Sequence, residues 1–140
     1  MSNKPKEVVI VEAVRTPIGR YQGSLKRLKA DKLGTIVIKE VLKKSKFSKD
    51  EIDEVIMGQV LAAGAGQNPA RQAAINAGIP ISKSAHIINQ VCGSGLRAVI
   101  SGYQSIKLGE SNNVISGGQE SMSLAPHSIF FREEKKISED

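Results

Sequence analysis

The only cysteine of the 140-residue chain, Cys92, stands where a nucleophile would be effective. Residues His86–Val91 predict a strand, and the residues from Cys92 to about Leu108 predict a helix, so the sulfur would lie at a helix N-terminus. Unpaired backbone N–H groups and the helix dipole favour the thiolate there, and the thiolate is the nucleophilic form. Gly93 and Gly95 add no side chains that would keep a substrate carbonyl away. The pattern predicts a catalytic nucleophile in the geometry of a nucleophile elbow.

Two other interpretations use the same residues. A lone cysteine is often buried and inert, and the sequence around Cys92 leaves that possibility open. The G-x-G-x-x-A pattern that begins at Gly93 also resembles a dinucleotide-binding fingerprint, which requires an acidic residue about twenty positions later. Asn112 and Asn113 occupy that region, so the acidic residue is missing and the dinucleotide interpretation is the weaker one; it would require binding of a nicotinamide cofactor.

The remaining candidates for acid–base chemistry are few. The two histidines are His86 and His127. We expect His86 at a strand end, too far from Cys92 to act as its base, and His127 in a loop, with its role left open by the sequence. Glu120 follows a pair of glycines, and we interpret it as a turn or cap residue. No pair of histidines or cysteines has metal-ligand spacing, and no phosphate loop occurs, so we expect no metal and no bound cofactor.

Composition and charge restrict the class of protein. Hydrophobic residues make up 40% and charged residues 24%, which is typical of a globular protein. The net charge of +6 comes mainly from lysines between Lys26 and Lys49, where helical spacing indicates a solvated helix face. Because no stacking aromatics accompany these lysines, we expect no nucleic-acid binding. A single cysteine, no signal core and no long apolar run predict a cytoplasmic, soluble protein.

Strands alternate with helices along the chain, which predicts an α/β fold with parallel pairing. The predicted strands are Val8–Val11, Val55–Met57, His86–Val91 and Val114–Ser116. The predicted helices begin near Asp31 as N-cap, at Asn68-Pro69 with a stop at Gly78, and at Cys92 with a stop at Gly109, and a capping box is predicted at Ser48–Glu51.

Two helix faces carry specific expectations. In the first helix we predict a core-facing stripe, consisting of Leu33, Ile36, Val37, Val41 and Leu42. In the helix after Cys92 a row of small residues lies beside an apolar stripe. Since small side chains allow a close approach, we expect the small row to receive a second helix that these residues do not supply. The row is Ser94, Ala98, Ser101, Gly102 and Ser105, and the stripe is Leu96, Val99, Ile100, Tyr103 and Ile106.

Four ordered motifs resemble the thiolases, and most of all their acetyl-CoA acetyltransferase branch. They are Arg15-Thr16-Pro17-Ile18-Gly19; Gly58-Gln59-Val60 with Gly66-Gln67-Asn68-Pro69-Ala70-Arg71-Gln72; Asn89-x-Val91-Cys92-Gly93-Ser94-Gly95; and Gly117-Gly118-x-Glu120-x-Met122-Ser123. The resemblance implies a thiolase-like fold whose first half is a βαβαβαβ sheet with helices on both faces, here incomplete. It assigns residues 1–127 to a partial N-terminal domain and leaves 128–140 as a frayed, charged tail.

The resemblance also implies a mechanism. Cys92 would attack an acyl-coenzyme A thioester and hold the acyl group, with Asn89, Gly93 and Gly95 supporting the nucleophile turn. A second acyl-CoA would then condense with it, or the cycle would run in reverse as thiolysis. Coenzyme A thioesters are thus the implied substrates in acyl-CoA and fatty acid metabolism, and the complete enzyme is implied to be a homo-oligomer.

Other groups of the thiolase site have no match in this sequence. In the family, the activating histidine, a second cysteine and much of the oxyanion machinery belong to the C-terminal portion. The resemblance therefore implies an N-terminal segment that we expect to be inactive alone. The alternative to a truncated enzyme is a non-catalytic segment that works by docking with a separately encoded C-terminal chain.

Overall fold

A computed structural model describes residues 7–129. Within that range the chain forms a parallel three-stranded sheet of order β2-β1-β3, flanked by three α-helices, which confirms the predicted α/β class. The elements are α1 (Ala30–Ser45), β1 (Glu54–Gly58), α2 (Pro69–Ala77), β2 (Ser84–Ile88), α3 (Ser94–Leu108) and β3 (Val114–Gly118), with short 3₁₀ turns at Lys49–Glu51 and Met122–Leu124. The predicted tail lies, from residue 130 onward, outside the described residues.

The central strand β1 is buried on both faces. It pairs in parallel with β2 and with β3, so that Gly58 stands between Ile88 and Gly118. Val55, Ile56 and Met57 are each at most 1% exposed, as expected for a strand with neighbours on both sides and helices above and below. Because the strands are parallel, their carboxyl ends meet at one edge of the sheet.

One face of the sheet is covered by α1 and α2. Their core contact centres on Ile38, which is 1% exposed, and on the alanines of α2. The predicted stripe of α1 is therefore wrong in part: Ile38 was missed, and Ile36 is 48% exposed. Asp31 is also not the N-cap, since Lys29 holds that position and Asp31 lies in the first turn, where a carboxylate interacts favourably with the helix dipole.

Local capping signals predicted the other helix ends well. The capping box is present, with the Ser48 backbone N–H donating to the Glu51 carboxylate at 2.8 Å. In α2, Asn68 accepts from the Arg71 backbone N–H at 3.1 Å, and Gly78 ends the helix in the left-handed conformation.

No helix among residues 7–129 combines the length and apolar character that a membrane span requires.

The predicted first strand, Val8–Val11, is wrong for this structure. The segment has no regular secondary structure, and Val9, Ile10 and Val11 are 64%, 78% and 61% exposed. It forms one wall of a cavity of about 1000 Å³ whose other walls include β3. An apolar, β-branched run becomes a strand only where a partner edge lies within hydrogen-bonding distance, and here the cavity separates the two.

The opposite face of the sheet is covered by α3, through its small residues. Ser94, Ala98, Gly102 and Ser105 are buried, and the α-carbon of Gly102 approaches the side chain of Ser116 on β3. The expectation that this row receives a second helix is therefore wrong, because the sheet itself occupies it. The neighbouring apolar stripe is the uncovered one, and its Leu96 is 69% exposed.

The start of α3 lies directly on the backbone of β1 at Gly58. A β-carbon at this position would overlap the backbone of Ser94 and Gly95. Gly117, one strand away, differs, since a β-carbon there would meet only the Met57 side chain, at an ordinary 3.9 Å from Sδ.

We expect Gly58→Ala to lower the free energy of unfolding by about 1–3 kcal/mol, because α3 must shift to admit the methyl group. The measurement is urea unfolding followed by circular dichroism, with Gly117→Ala as the matched control that changes stability little. Equal stability of the two variants would contradict the contact.

Asp53 joins the start of β1 to the loop before β3. Its Oδ2 accepts from the backbone N–H of Asn112 at 2.8 Å and of Asn113 at 3.2 Å, and Lys83 Nζ lies 3.5 Å from Oδ1. The backbone hydrogen bond from Asn112 is the main cause that lowers the pKa of Asp53 below its ordinary value. Burial, the next largest effect, raises the pKa, and the Asn113 N–H and Lys83 lower it further.

A carboxyl group whose pKa is lowered in the folded state stabilises that state above its unfolded pKa, and the stabilisation is lost as the pH falls. We therefore expect Asp53→Asn to lower the urea midpoint at pH 7, with the difference from wild type closing below about pH 4. Asp50→Asn, an exposed carboxylate three residues earlier, is the control. A constant difference from pH 7 to pH 3 would show that the Asp53 charge is not involved.

Candidate functional site

Cys92 lies at the carboxyl edge of the sheet, between the end of β2 and the start of α3. Its side chain is exposed, which excludes the interpretation of a buried, inert cysteine. Gly93 is the N-cap of α3, so Cys92 immediately precedes the cap, as the strand-to-helix prediction required. The predicted strand ended later and the predicted helix began earlier than observed, since residues 89–93 form a turn between them.

The turn before Cys92 has a strained backbone. Val91 has φ of 50°, in the left-handed region that β-branched residues rarely adopt. Such a conformation costs on the order of 1–3 kcal/mol and persists only where its surroundings hold it.

Two side chains hold the turn. Asn89 Oδ1 accepts from the Val91 backbone N–H at 3.0 Å. The Ser94 hydroxyl donates to the Val91 carbonyl at 2.6 Å and accepts from the Gln90 backbone N–H at 2.9 Å. Asn89, a predicted supporting residue, thus contacts the turn, whereas Ser94 was seen only as a small helix residue. The clue to its role was its position, three residues after a turn residue whose carbonyl it can reach.

Hydrogen bonds join the residues that follow β1, β2 and β3 at this edge of the sheet. Asn89, after β2, donates through Nδ2 to the Val60 carbonyl at 3.4 Å. The carboxylate of Glu120, after β3, accepts from the backbone N–H groups of Val60 and Leu61 at 2.8 and 3.2 Å. A chain of hydrogen bonds therefore runs from Glu120 through Val60 and Asn89 to the turn that carries Cys92.

The strand ends also pack closely beneath the site. A β-carbon on Gly95 would lie 3.6 Å from the α-carbon of Gly118, so the two glycines bring α3 onto β3. Gln59 and Gln119 extend the ladder by one residue and are joined by a buried side-chain hydrogen bond of 2.8 Å. This pair was not predicted, although the same Gly-Gln dipeptide occurs at the ends of β1 and β3.

The structure does not bring His86 to Cys92. Its Nδ1 lies 3.5 Å from Glu54 Oε1, and it pairs with Ile56 in the middle of β2. His127 is exposed in the segment after the second 3₁₀ turn. Among residues 7–129, no cluster of three or more histidine, cysteine, aspartate or glutamate side chains could hold a metal ion.

Comparison with known proteins identifies close sequence relatives. Residues 8–139 match the family described as "Thiolase, N-terminal domain". The chain is 55% identical over 122 residues to a probable acetyl-CoA acetyltransferase of Escherichia coli, covering 87% of this chain and 31% of that protein. It is 50% identical over 132 residues to the cytosolic acetyl-CoA acetyltransferase of Rattus norvegicus, covering 94% of this chain and 33% of that protein.

An acetyl-CoA acetyltransferase of Pseudomonas aeruginosa gives a comparable match, with 52% identity over 122 residues. The chain therefore spans about a third of the length of these curated relatives.

We expect Ser94→Ala to release the turn before Cys92, because the Val91 carbonyl and the Gln90 N–H both lose their partner. Loss of a buried hydrogen-bond partner costs about 1–3 kcal/mol, and the rate of Cys92 alkylation by iodoacetamide should change with it. Ser101→Ala, on the same helix but outside the turn, is the control. Unchanged stability and alkylation in Ser94→Ala would contradict this account of the turn.

Proposed function

Since the chain belongs to the thiolase family, whose N-terminal domain it matches over residues 8–139, we propose that Cys92 accepts an acyl group from an acyl-coenzyme A thioester. The observation that carries the proposal is an exposed thiol at the start of α3, held on a strained turn at the carboxyl edge of a parallel sheet. The similarity to acetyl-CoA acetyltransferases supports acetyl-CoA as the acyl donor.

The chemical step is a transfer between two sulfur atoms. The Cys92 thiolate attacks the thioester carbonyl, the bond between that carbon and the coenzyme A sulfur breaks, and coenzyme A leaves as a thiolate that takes up a proton. The acyl group then stays on Sγ, ready for condensation with a second acyl-CoA or for thiolysis. Gly93 adds no side chain next to Cys92, whereas Gly95 allows α3 to pack on the backbone of Gly118.

The described residues supply only part of this machinery. The backbone N–H groups of Gly93 and Ser94, the first candidates for an oxyanion hole, donate to the carbonyls of Gln90 and Val91 at 3.0 and 3.1 Å. His86 is directed to Glu54. Oxyanion donors and a general base each contribute orders of magnitude in rate, so we propose that the complete cycle needs groups from elsewhere.

A second candidate function follows from the exposed apolar surface. Leu96, Ile100 and Tyr103 on α3 are 69%, 38% and 49% exposed, and neighbouring exposed apolar side chains are typical of an interaction surface. The alternative is that the chain has no catalysis of its own and functions only when docked to a polypeptide that carries the C-terminal part of a thiolase. We propose that the assembled enzyme is cytoplasmic, homo-oligomeric and active in acyl-CoA and fatty acid metabolism, with no nucleic-acid partner and no bound cofactor.

The first test is intact mass spectrometry of the purified chain after incubation with acetyl-CoA. We expect one acetyl adduct on the wild-type chain and none on Cys92→Ala, because Cys92 is the only thiol. Cys92→Ser is the matched control, because it replaces the thiol with little change in the size of the side chain. An adduct that persists in Cys92→Ala would contradict the assignment, and a folded wild-type chain without an adduct would favour the docking alternative.

A further inference from the structure

The backbone ladder of the sheet ends just before the segment that follows β1. The Gln59 backbone N–H still donates to the Ile88 carbonyl at 3.0 Å. The next two N–H groups, those of Val60 and Leu61, donate instead to one side-chain atom, Glu120 Oε2, at 2.8 and 3.2 Å. The position of this segment therefore depends on a side chain and not on a neighbouring strand.

One peptide group of the segment links Glu120 to Asn89. The Leu61 N–H and the Val60 carbonyl belong to the same planar unit, so they point in opposite directions. The N–H faces Glu120, and the carbonyl accepts from Asn89 Nδ2 at 3.4 Å and from the Ala62 N–H at 3.1 Å. Because the bond to Asn89 is long, a small rotation of the peptide plane breaks it.

The other end of the Asn89 side chain holds the left-handed residue of the turn. Asn89 Oδ1 accepts from the Val91 N–H at 3.0 Å, and Val91 has φ of 50°. The Val91 side chain is 66% exposed, so the packing of its methyl groups gives little compensation for this conformation. Hydrogen bonds must therefore compensate for it, and the one made by the Val91 N–H goes to Asn89.

Stability alone does not explain a carboxylate at Glu120. Oε2 accepts from both N–H groups, whereas Oε1 is buried and has no hydrogen-bond partner among residues 7–129. A buried oxygen without a partner lowers stability. A charged acceptor nevertheless makes hydrogen bonds about twice as strong as those of a neutral one, and a firm hold on the Val60–Leu61 peptide requires strong bonds.

We propose that Glu120 is a positioning residue for Cys92, which it controls through the conformation of Val91. The Val60–Leu61 peptide and Asn89 transmit the contact. While Glu120 holds that peptide, Val91 stays left-handed and the thiol stays where it can attack a thioester carbonyl. Without Glu120 the turn relaxes and the thiol moves. The inference deepens the proposed function and rests on it.

A pair of substitutions separates positioning from general stability. Glu120→Ala removes the acceptor of both N–H groups, while Val91→Gly removes the strain, because glycine adopts positive φ freely. We expect Glu120→Ala to slow the acetylation of Cys92 by acetyl-CoA about tenfold or more, measured by intact mass spectrometry at early times. In the Val91→Gly background the same substitution should slow acetylation less than about threefold. A loss of equal size in both backgrounds would overturn the proposal.

Amide hydrogen exchange at Val91, measured by NMR, gives a second readout that does not depend on acyl transfer. We expect this amide to exchange about tenfold faster in Glu120→Ala than in the wild-type chain. Glu110→Ala removes an exposed carboxylate beyond the end of α3 and is the matched control, which should leave both exchange and acetylation unchanged. Unaltered exchange at Val91 in Glu120→Ala would contradict the hydrogen-bond path.

Glu120→Gln tests the same path with a smaller change, so that the test does not depend on the folding of the alanine variant. The amide has the size of the carboxylate and keeps one acceptor oxygen. We therefore expect a folded chain whose acetylation is about threefold slower and whose Val91 amide exchanges about threefold faster.

The two measurements distinguish this inference from the proposed function. If the wild-type chain forms no acetyl adduct but exchange at Val91 responds to Glu120, the proposed function fails and the positioning of the turn stands. If the adduct forms and neither variant at Glu120 alters its rate, the positioning fails and the proposed function stands.

Discussion

The contact between the first turn of α3 and the backbone of the sheet determines where Cys92 lies. At Gly58 the helix start meets β1 with no room for a β-carbon, and Gly95 lies in van der Waals contact with the backbone of Gly118 on β3. Since backbone-to-backbone contact allows almost no sliding, the helix axis and its N-terminal end are fixed relative to the carboxyl edge. The exposure of Cys92 and the sharpness of the turn before it both follow from this approach.

Hydrogen bonds at the carboxyl edge of the sheet stabilise the turn that packing places there. Holding Val91 in the left-handed region costs on the order of 1–3 kcal/mol, and three hydrogen bonds from Asn89 and Ser94 to the turn contribute about 1 kcal/mol each. The cost of the backbone conformation and the contribution of the hydrogen bonds are of similar size. The turn therefore depends on the position of Asn89, which is held by Val60, and Val60 is held by Glu120. Glu120 therefore acts on the turn through Val60 and Asn89.

Sequence alone predicted what is encoded locally. The ends of α2 and α3 follow from Asn68, Gly78 and Gly109, because capping depends on residues within one turn. The strand at Val8–Val11 was predicted and is not formed, since an apolar run does not specify which edge it pairs with. The faces of α3 were identified but assigned to the wrong neighbours, because periodicity shows which residues share a face and not what covers it. The hydrogen bonds of Glu120 with Val60 and Leu61 connect positions that only the fold brings together.

The two uncovered apolar surfaces have the same helix in common. Val99, Tyr103 and Ile106 line the cavity beside β3, while Leu96 and Ile100 extend the apolar surface of α3 toward Cys92. A segment that covered Leu96 would therefore lie next to the thiol, at the end of α3 where the proposed acyl transfer takes place.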